Sequence, residues 1–80
     1  MVTRQEISGI VAACVRDVDL QEAEFGIPFG DLGIDSLSLF EVFDQIELVT
    51  GLTFNAEDLP SLNSVTSIVT FVNGRLGESS

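Results

Sequence analysis

Histidine and lysine are absent from this 80-residue chain, and cysteine occurs once. Without histidine there is no Ser-His or Cys-His nucleophile pair and no imidazole to bind a metal. The lone Cys14 excludes a disulfide framework and a cysteine metal cluster. It shares helical spacing with Ile7, Ile10, Val11, Val15 and Val18, so it reads as core filler rather than as a reactive thiol. Positive charge is equally scarce: three arginines face thirteen acids, for a net charge of −10. A field of that sign repels nucleic-acid phosphates and anionic membranes and attracts basic protein surfaces. Acidity that serves solubility alone is the plainer alternative. No apolar run is long enough to span a membrane, and the start lacks the basic flank and apolar stretch of a signal peptide. The default expectation is a monomer in a reduced, cytoplasmic setting.

Hydrophobic residues make up 45% of the chain, and the mean hydropathy of +0.39 argues for a packed core despite the charge. The length suits a single domain over residues 1–80, close to the lower limit for a fold with one core, since a chain this short buries only about 60% of its unfolded surface. Thr3 and Glu6 form a capping-box pattern, which predicts a first helix from about Thr3 to Asp17. Periodicity then lapses from Val18 to Asp35, where Gly26, Pro28, Gly30 and Gly33 punctuate a long loop. Leu20, Phe25, Ile27, Phe29 and Leu32 give that loop the means to pack itself down. A second helix is expected from Asp35 or Ser36 to about Thr50, with Gly51 as its C-cap. Asn55 to Leu59 suits one short turn before Pro60. A last helix starts near Asn63 or Ser64, with Val65, Ile68, Val69, Val72 and Leu76 inward. It is expected to lose order after Asn73-Gly74, leaving a frayed tail at about 77–80. Nothing alternates at period two for long enough to suggest a sheet. The fold class is all-α: three main helices, one short helix and a long first loop.

On the second helix, Leu39, Val42, Phe43, Ile46 and Val49 share one side at 100° per residue and are expected in the core. Leu37, Glu41, Asp44 and Leu48 share the other, flanked by Phe40 and Glu47. Acids around apolar anchors suit a transient interface, in which charge steers the encounter and leucines enter shallow pockets. The alternative is that the leucines fold back onto neighbouring segments. Ser36, at the start of this helix, reads either as a plain N-cap or as a modification site. A helix N-terminus offers free N–H groups and a positive dipole end, so phosphate attached there is electrostatically favoured. No residue of the sequence activates this hydroxyl, so any chemistry at it comes from another protein.

The segment Asp31-Leu-Gly-Ile-Asp-Ser-Leu37 resembles the acyl carrier protein signature D-L-G-x-D-S-L at all six specified positions. Length, acidity, the long first loop, the helix order and the run Ser64–Val72 extend the resemblance over the whole chain. It implies a bundle that is inert until a phosphopantetheinyl transferase moves 4′-phosphopantetheine from coenzyme A onto Ser36. The arm's thiol then holds acyl groups as thioesters, and the chain has no catalytic residue and no metal of its own. By the resemblance, Asp35 and Leu37 assist recognition and Glu41 and Glu47 match acidic docking positions; with Phe40, Asp44 and Leu48 of the outward stripe they make up the expected docking face. The implied partners are the transferase, an acyl- or aminoacyl-loading enzyme, and synthase or tailoring enzymes with basic docking surfaces. Three departures favour a specialised pathway, such as polyketide biosynthesis, over housekeeping fatty-acid synthesis. Ser38 replaces an acid common two residues after the serine, the second helix ends Glu47-Leu-Val-Thr50 rather than in acids, and Asp44 stands where a larger apolar residue is usual. A freestanding aminoacyl or peptidyl carrier is the nearest alternative.

Other classes fit less well. An acidic helical interaction module without a prosthetic group rests on charge alone. A calcium-binding reading of Asp17–Glu22 lacks the glycine and acid spacing of an EF-hand. A hydrolase lacks both a base and a G-x-S-x-G elbow around Ser36. For cargo, a cavity among Phe40, Phe43, Ile46, Phe54, Leu59 and Ile68 is expected, its aromatics narrowing it in favour of short, polar or amino-acyl groups.

Overall fold

The computed structural model describes residues 2–15 and 20–78. Helix α1 spans Arg4–Cys14, and Thr3 starts it as the sequence pattern requires. Thr3 Oγ1 accepts the Glu6 N–H at 3.1 Å while Glu6 Oε1 accepts the Thr3 N–H at 3.2 Å, closing the capping box. Val15, in extended conformation at φ −115° and ψ 120°, caps the helix after Cys14, its N–H donating to the Val11 carbonyl; the expected end at Asp17, like Val18, lies outside the described residues. Ile7, Val11 and Val15 are buried, whereas Ile10 and Cys14 lie only half-buried at the edge of the core.

The long loop is ordered by short helical turns at Glu22–Glu24 and Phe29–Leu32, and Phe25 and Phe29 are buried within it. Two backbone bonds join it to the chain entering the last helix. The Phe29 N–H donates to the Asn63 carbonyl at 2.7 Å, and the Thr66 N–H donates to the Phe25 carbonyl at 2.9 Å. Gly33 closes the second turn at φ 80°, a left-handed conformation that a side chain resists.

Helix α2 spans Ser36–Thr50 and stops at Gly51, whose φ of 77° is the left-handed C-cap expected of glycine. Val42, Phe43 and Ile46 are buried and Leu39 is half-buried, but Val49 is 62% exposed, contrary to the core position its spacing suggests. The buried arc is centred near Ile46 and Thr50, and Val49 sits roughly 70° away at 100° per residue, in the last turn. The half-buried Thr50 takes the inward place there, donating its hydroxyl to the Ile46 carbonyl at 2.7 Å.

The short turn after α2 falls at Leu59–Ser61 and contains Pro60 instead of ending before it. Proline is accommodated because the first residues of a helical turn need no donated N–H. Helix α3 spans Val65–Glu78 and runs through Gly74, where the sequence suggests an end. Contacts past that glycine explain the difference. Leu76 packs against the core, and Arg75 lies over the Phe71 ring and pairs with Asp58. Together they outweigh the ~1 kcal/mol that glycine costs a helix. Ser64 Oγ accepts the Ser67 N–H at the start of α3. Asn73 binds both backbone groups of Val2, at 2.8 and 3.0 Å, tying the start of the chain to α3.

Helix α1 packs against both α2 and α3, and the Leu59–Ser61 turn packs on α3. The described residues contain helices and turns and no strand, so the all-α reading holds.

Candidate functional site

Asp35, not Ser36, caps α2. Its Oδ1 accepts the Ser38 N–H at 2.8 Å, leaving Ser36 as the first residue of the helix proper. Ser36 is exposed, and its hydroxyl has no hydrogen-bond partner among the described residues. The capping role that competes with modification is therefore already filled by its neighbour, and the Ser36 oxygen is left to solvent.

The bond from the Ser38 backbone, reinforced by the Ser38 side chain, holds the Asp35 carboxyl below the usual carboxylate range. A depressed folded pKa means that the ionised cap stabilises the fold at neutral pH and is lost as pH falls through that lowered value. Asp35→Asn should therefore melt below the wild type at pH 7, and the gap should close only at pH below the ordinary carboxylate range of about 3.9. Paired thermal melts across that window test this, and a gap that persists unchanged into acid overturns it.

Beside Ser36 opens a cleft of about 370 Å³, small for a ligand pocket and predominantly apolar. Ser36, Leu39, Phe40 and Phe43 line it from α2, Phe29 from the first loop, and Leu59 and Leu62 from the segment before α3. Of the residues expected around a cavity, Phe40, Phe43 and Leu59 line this cleft. Ile46 and Ile68 are fully buried in the core, and Phe54 meets the Phe43 ring without lining the cleft. Phe29, Leu39 and Leu62 are among the lining residues that the sequence did not single out for this role. The signal for Leu62 was its i, i+3 spacing from Leu59 across Pro60, a pattern too short to separate from core packing.

Along the outer face of α2, Leu37 and Leu48 are each 77% exposed and Phe40 51%, with Glu41 and Asp44 exposed between them. From Leu37 to Leu48 the stripe runs about 16 Å at 1.5 Å per residue. The leucines do not fold back, so that alternative is set aside. Glu47 differs from its neighbours: it is half-buried, and its Oε2 accepts the Phe54 N–H at 2.6 Å. Its carboxylate thus anchors the chain that leaves α2. Cys14 borders Glu41, and burial followed by that negative charge pushes its thiol pKa up, which keeps it protonated and unreactive at neutral pH.

Comparison with known proteins bears on the exposed serine and its cleft. Residues 8–72 match the family described as the phosphopantetheine attachment site. The chain belongs to that family of acyl carrier proteins. Two relatives are the anthracycline acyl carrier proteins DauA of Streptomyces sp. (strain C5) and DpsG of Streptomyces peucetius. Each is 38% identical to this carrier over 58 residues, covering 72% of this chain and 68% of the relative. No solved structure matches. The carrier's prosthetic group is phosphopantetheine, and such carriers work with phosphopantetheinyl transferases and synthase enzymes. Its residues fit the group: a free hydroxyl at a helix N-terminus suits a phosphodiester, and an apolar cleft adjoins it. Among the described residues, no helix is long and apolar enough to cross a membrane.

Proposed function

We propose that Ser36 bears the 4′-phosphopantetheine, and that this carrier presents acyl intermediates of polyketide assembly to the enzymes of a secondary-metabolite pathway. The observation that carries the first part is the Ser36 hydroxyl at the first position of α2, without a hydrogen-bond partner among the described residues and beside the apolar cleft. The pathway class rests on the anthracycline carriers it resembles and on the pattern of α2. When bound, the arm supplies a thiol that holds acyl groups as thioesters. The chain's own residues do the rest without catalysis. Asp35 fixes the helix start and with it the position of the hydroxyl, the α2 N–H groups face the phosphate, and Leu37 marks the site for the transferase.

Incubation with coenzyme A and a permissive transferase should add one phosphopantetheine per chain, read by intact mass. Ser38→Ala should load like the wild type and Ser36→Ala should not load. An unmodified wild type, or a modified Ser36→Ala, overturns the assignment.

The stripe of Leu37, Phe40, Glu41, Asp44 and Leu48 is the docking face in this reading, with exposed apolar anchors set among acids that steer a basic partner. Glu47 adds charge at its margin. Reversing Glu41 and Asp44 together to lysine should raise the transferase's KM for the carrier about tenfold with little change in kcat, because steering acts on encounter. It should also abolish the loss of kcat/KM on adding salt that the wild type shows. An unchanged KM and an unchanged salt response would sink the docking assignment.

A further inference from the structure

From the wall of the cleft, three aromatic rings pack in series. Phe43 lines the cleft, and its ring meets Phe54 edge to face, with centroids 6.2 Å apart and planes at 84°. Phe54 meets Phe71 of α3 in the same manner, at 5.9 Å and 69°. The guanidinium of Arg75 covers the Phe71 ring at 5.0 Å from its centroid, and its Nη2 reaches Asp58 Oδ1 at 3.6 Å. The backbone of Phe54 is fixed separately, through its N–H on Glu47 Oε2.

Phe54 is thus gripped on one side by α2, on the other by α3, and at its backbone by a carboxylate. Edge-to-face aromatic pairs contribute about 0.5–1.5 kcal/mol each beyond the area they bury, so the ladder resists opening. Ile46 and Ile68, deeper in the core, have no exposed surface. Phe43 lines the cleft and Phe54 backs its ring without lining the cleft itself, so a chain that reaches past Phe43 must displace rings that are already packed.

We infer that Phe54, braced by Phe43 and Phe71, is the residue that sets the depth to which cargo can enter this carrier, confining it to the surface cleft and leaving its remainder in water. The inference rests on the attachment of cargo at Ser36. It also defines a class of cargo: chains that carry keto or hydroxyl groups along their length and lose little by staying hydrated, as opposed to long saturated ones.

The test bypasses the transferase, so that failure of phosphopantetheine loading and failure of the plug are separate results. In a Cys14→Ala background, Ser36→Cys is alkylated with N-butyl or N-decyl iodoacetamide, and amide exchange is measured at Ile46 and Ile68. With Phe54 present, the two chains should give the same exchange rates. In Phe54→Ala, the decyl chain should enter the gap between Phe43 and Phe71 and slow exchange about tenfold relative to butyl, as expected for a ligand bound only by the folded state. Phe54→Leu, which keeps the position apolar without the ring edges, is compared in the same way and decides the matter if the alanine variant does not fold. Slowing by decyl with Phe54 in place, or no difference between chains in a folded variant, overturns the inference.

Discussion

Ser36→Ala should leave the helix content and melting temperature of the carrier unchanged while reducing phosphopantetheine loading to nothing. Two features of the site make both halves of this result expected. Asp35 supplies the cap, and the Ser36 hydroxyl bonds to nothing among the described residues, so its removal orphans no backbone group. Alanine is also the best helix former, and the first helical position tolerates it; a surface change of this kind stays within about ±0.5 kcal/mol. On the proposed attachment, the loss of loading is complete, because the Ser36 oxygen is the bridging atom of the phosphodiester and no neighbouring oxygen stands in for it. Ser38 is two residues on, with its side chain bonded to the Asp35 carboxylate. The measurement is a pair: thermal melting by circular dichroism and intact mass after transferase treatment. A variant that fails to load because it has unfolded would show it in the first of these.

Phe29→Ala should have the largest effect on stability. Phe29 is 1% exposed, and it joins three regions: its side chain lies in the core and in the wall of the cleft, and its N–H is bonded to Asn63 ahead of α3. Truncating a buried phenylalanine costs about 3–5 kcal/mol through lost burial and the cavity left behind. An 80-residue chain has about 4–12 kcal/mol of stability in total. The substitution therefore consumes a large share of the margin, and the long first loop should come loose before α1, α2 and α3 separate. Urea denaturation should show a midpoint lowered in proportion, and amides of residues 25–34 should exchange faster than those of α2. A midpoint close to that of the wild type would mean that the loop is held by its two backbone bonds and that its aromatic anchor contributes little.

The sequence made the helices legible where local chemistry and tertiary packing agree. The Thr3–Glu6 capping box, the Gly51 stop and the start of α2 at Ser36 are all decided within one turn of chain, and the structure has each of them. Two features lay beyond local pattern. Gly74 does not end α3, because Arg75 and Leu76 find partners far away in sequence, at Asp58 and in the core. Val49 is exposed although its spacing places it inward, because Thr50 takes the buried place in the last turn. At the site, the heptad Asp31–Leu37 pointed to Ser36 directly, and the outward stripe followed from the helical period. The half-buried role of Glu47 as an anchor for Phe54 was invisible, since it depends on the path of the chain after Gly51. The cleft was half visible for the same reason: Phe29 and Leu62 reach it only once the first loop is seated against the start of α3.

The two left-handed glycines, Gly33 at φ 80° and Gly51 at φ 77°, stand just outside the two ends of α2. Between them the buried positions Val42, Phe43 and Ile46 hold the helix in register, while Leu37, Glu41, Asp44 and Leu48 are exposed on the other side and Phe40 sits between the two, exposed yet lining the cleft. The helix is therefore a bracketed cassette, with identity written on one side and fold on the other. On the proposed docking face, drift among the outer residues should change partner recognition at little cost to folding. In a cell that runs several carrier-dependent assembly lines at once, that separation lets each line keep its own traffic while all share one scaffold.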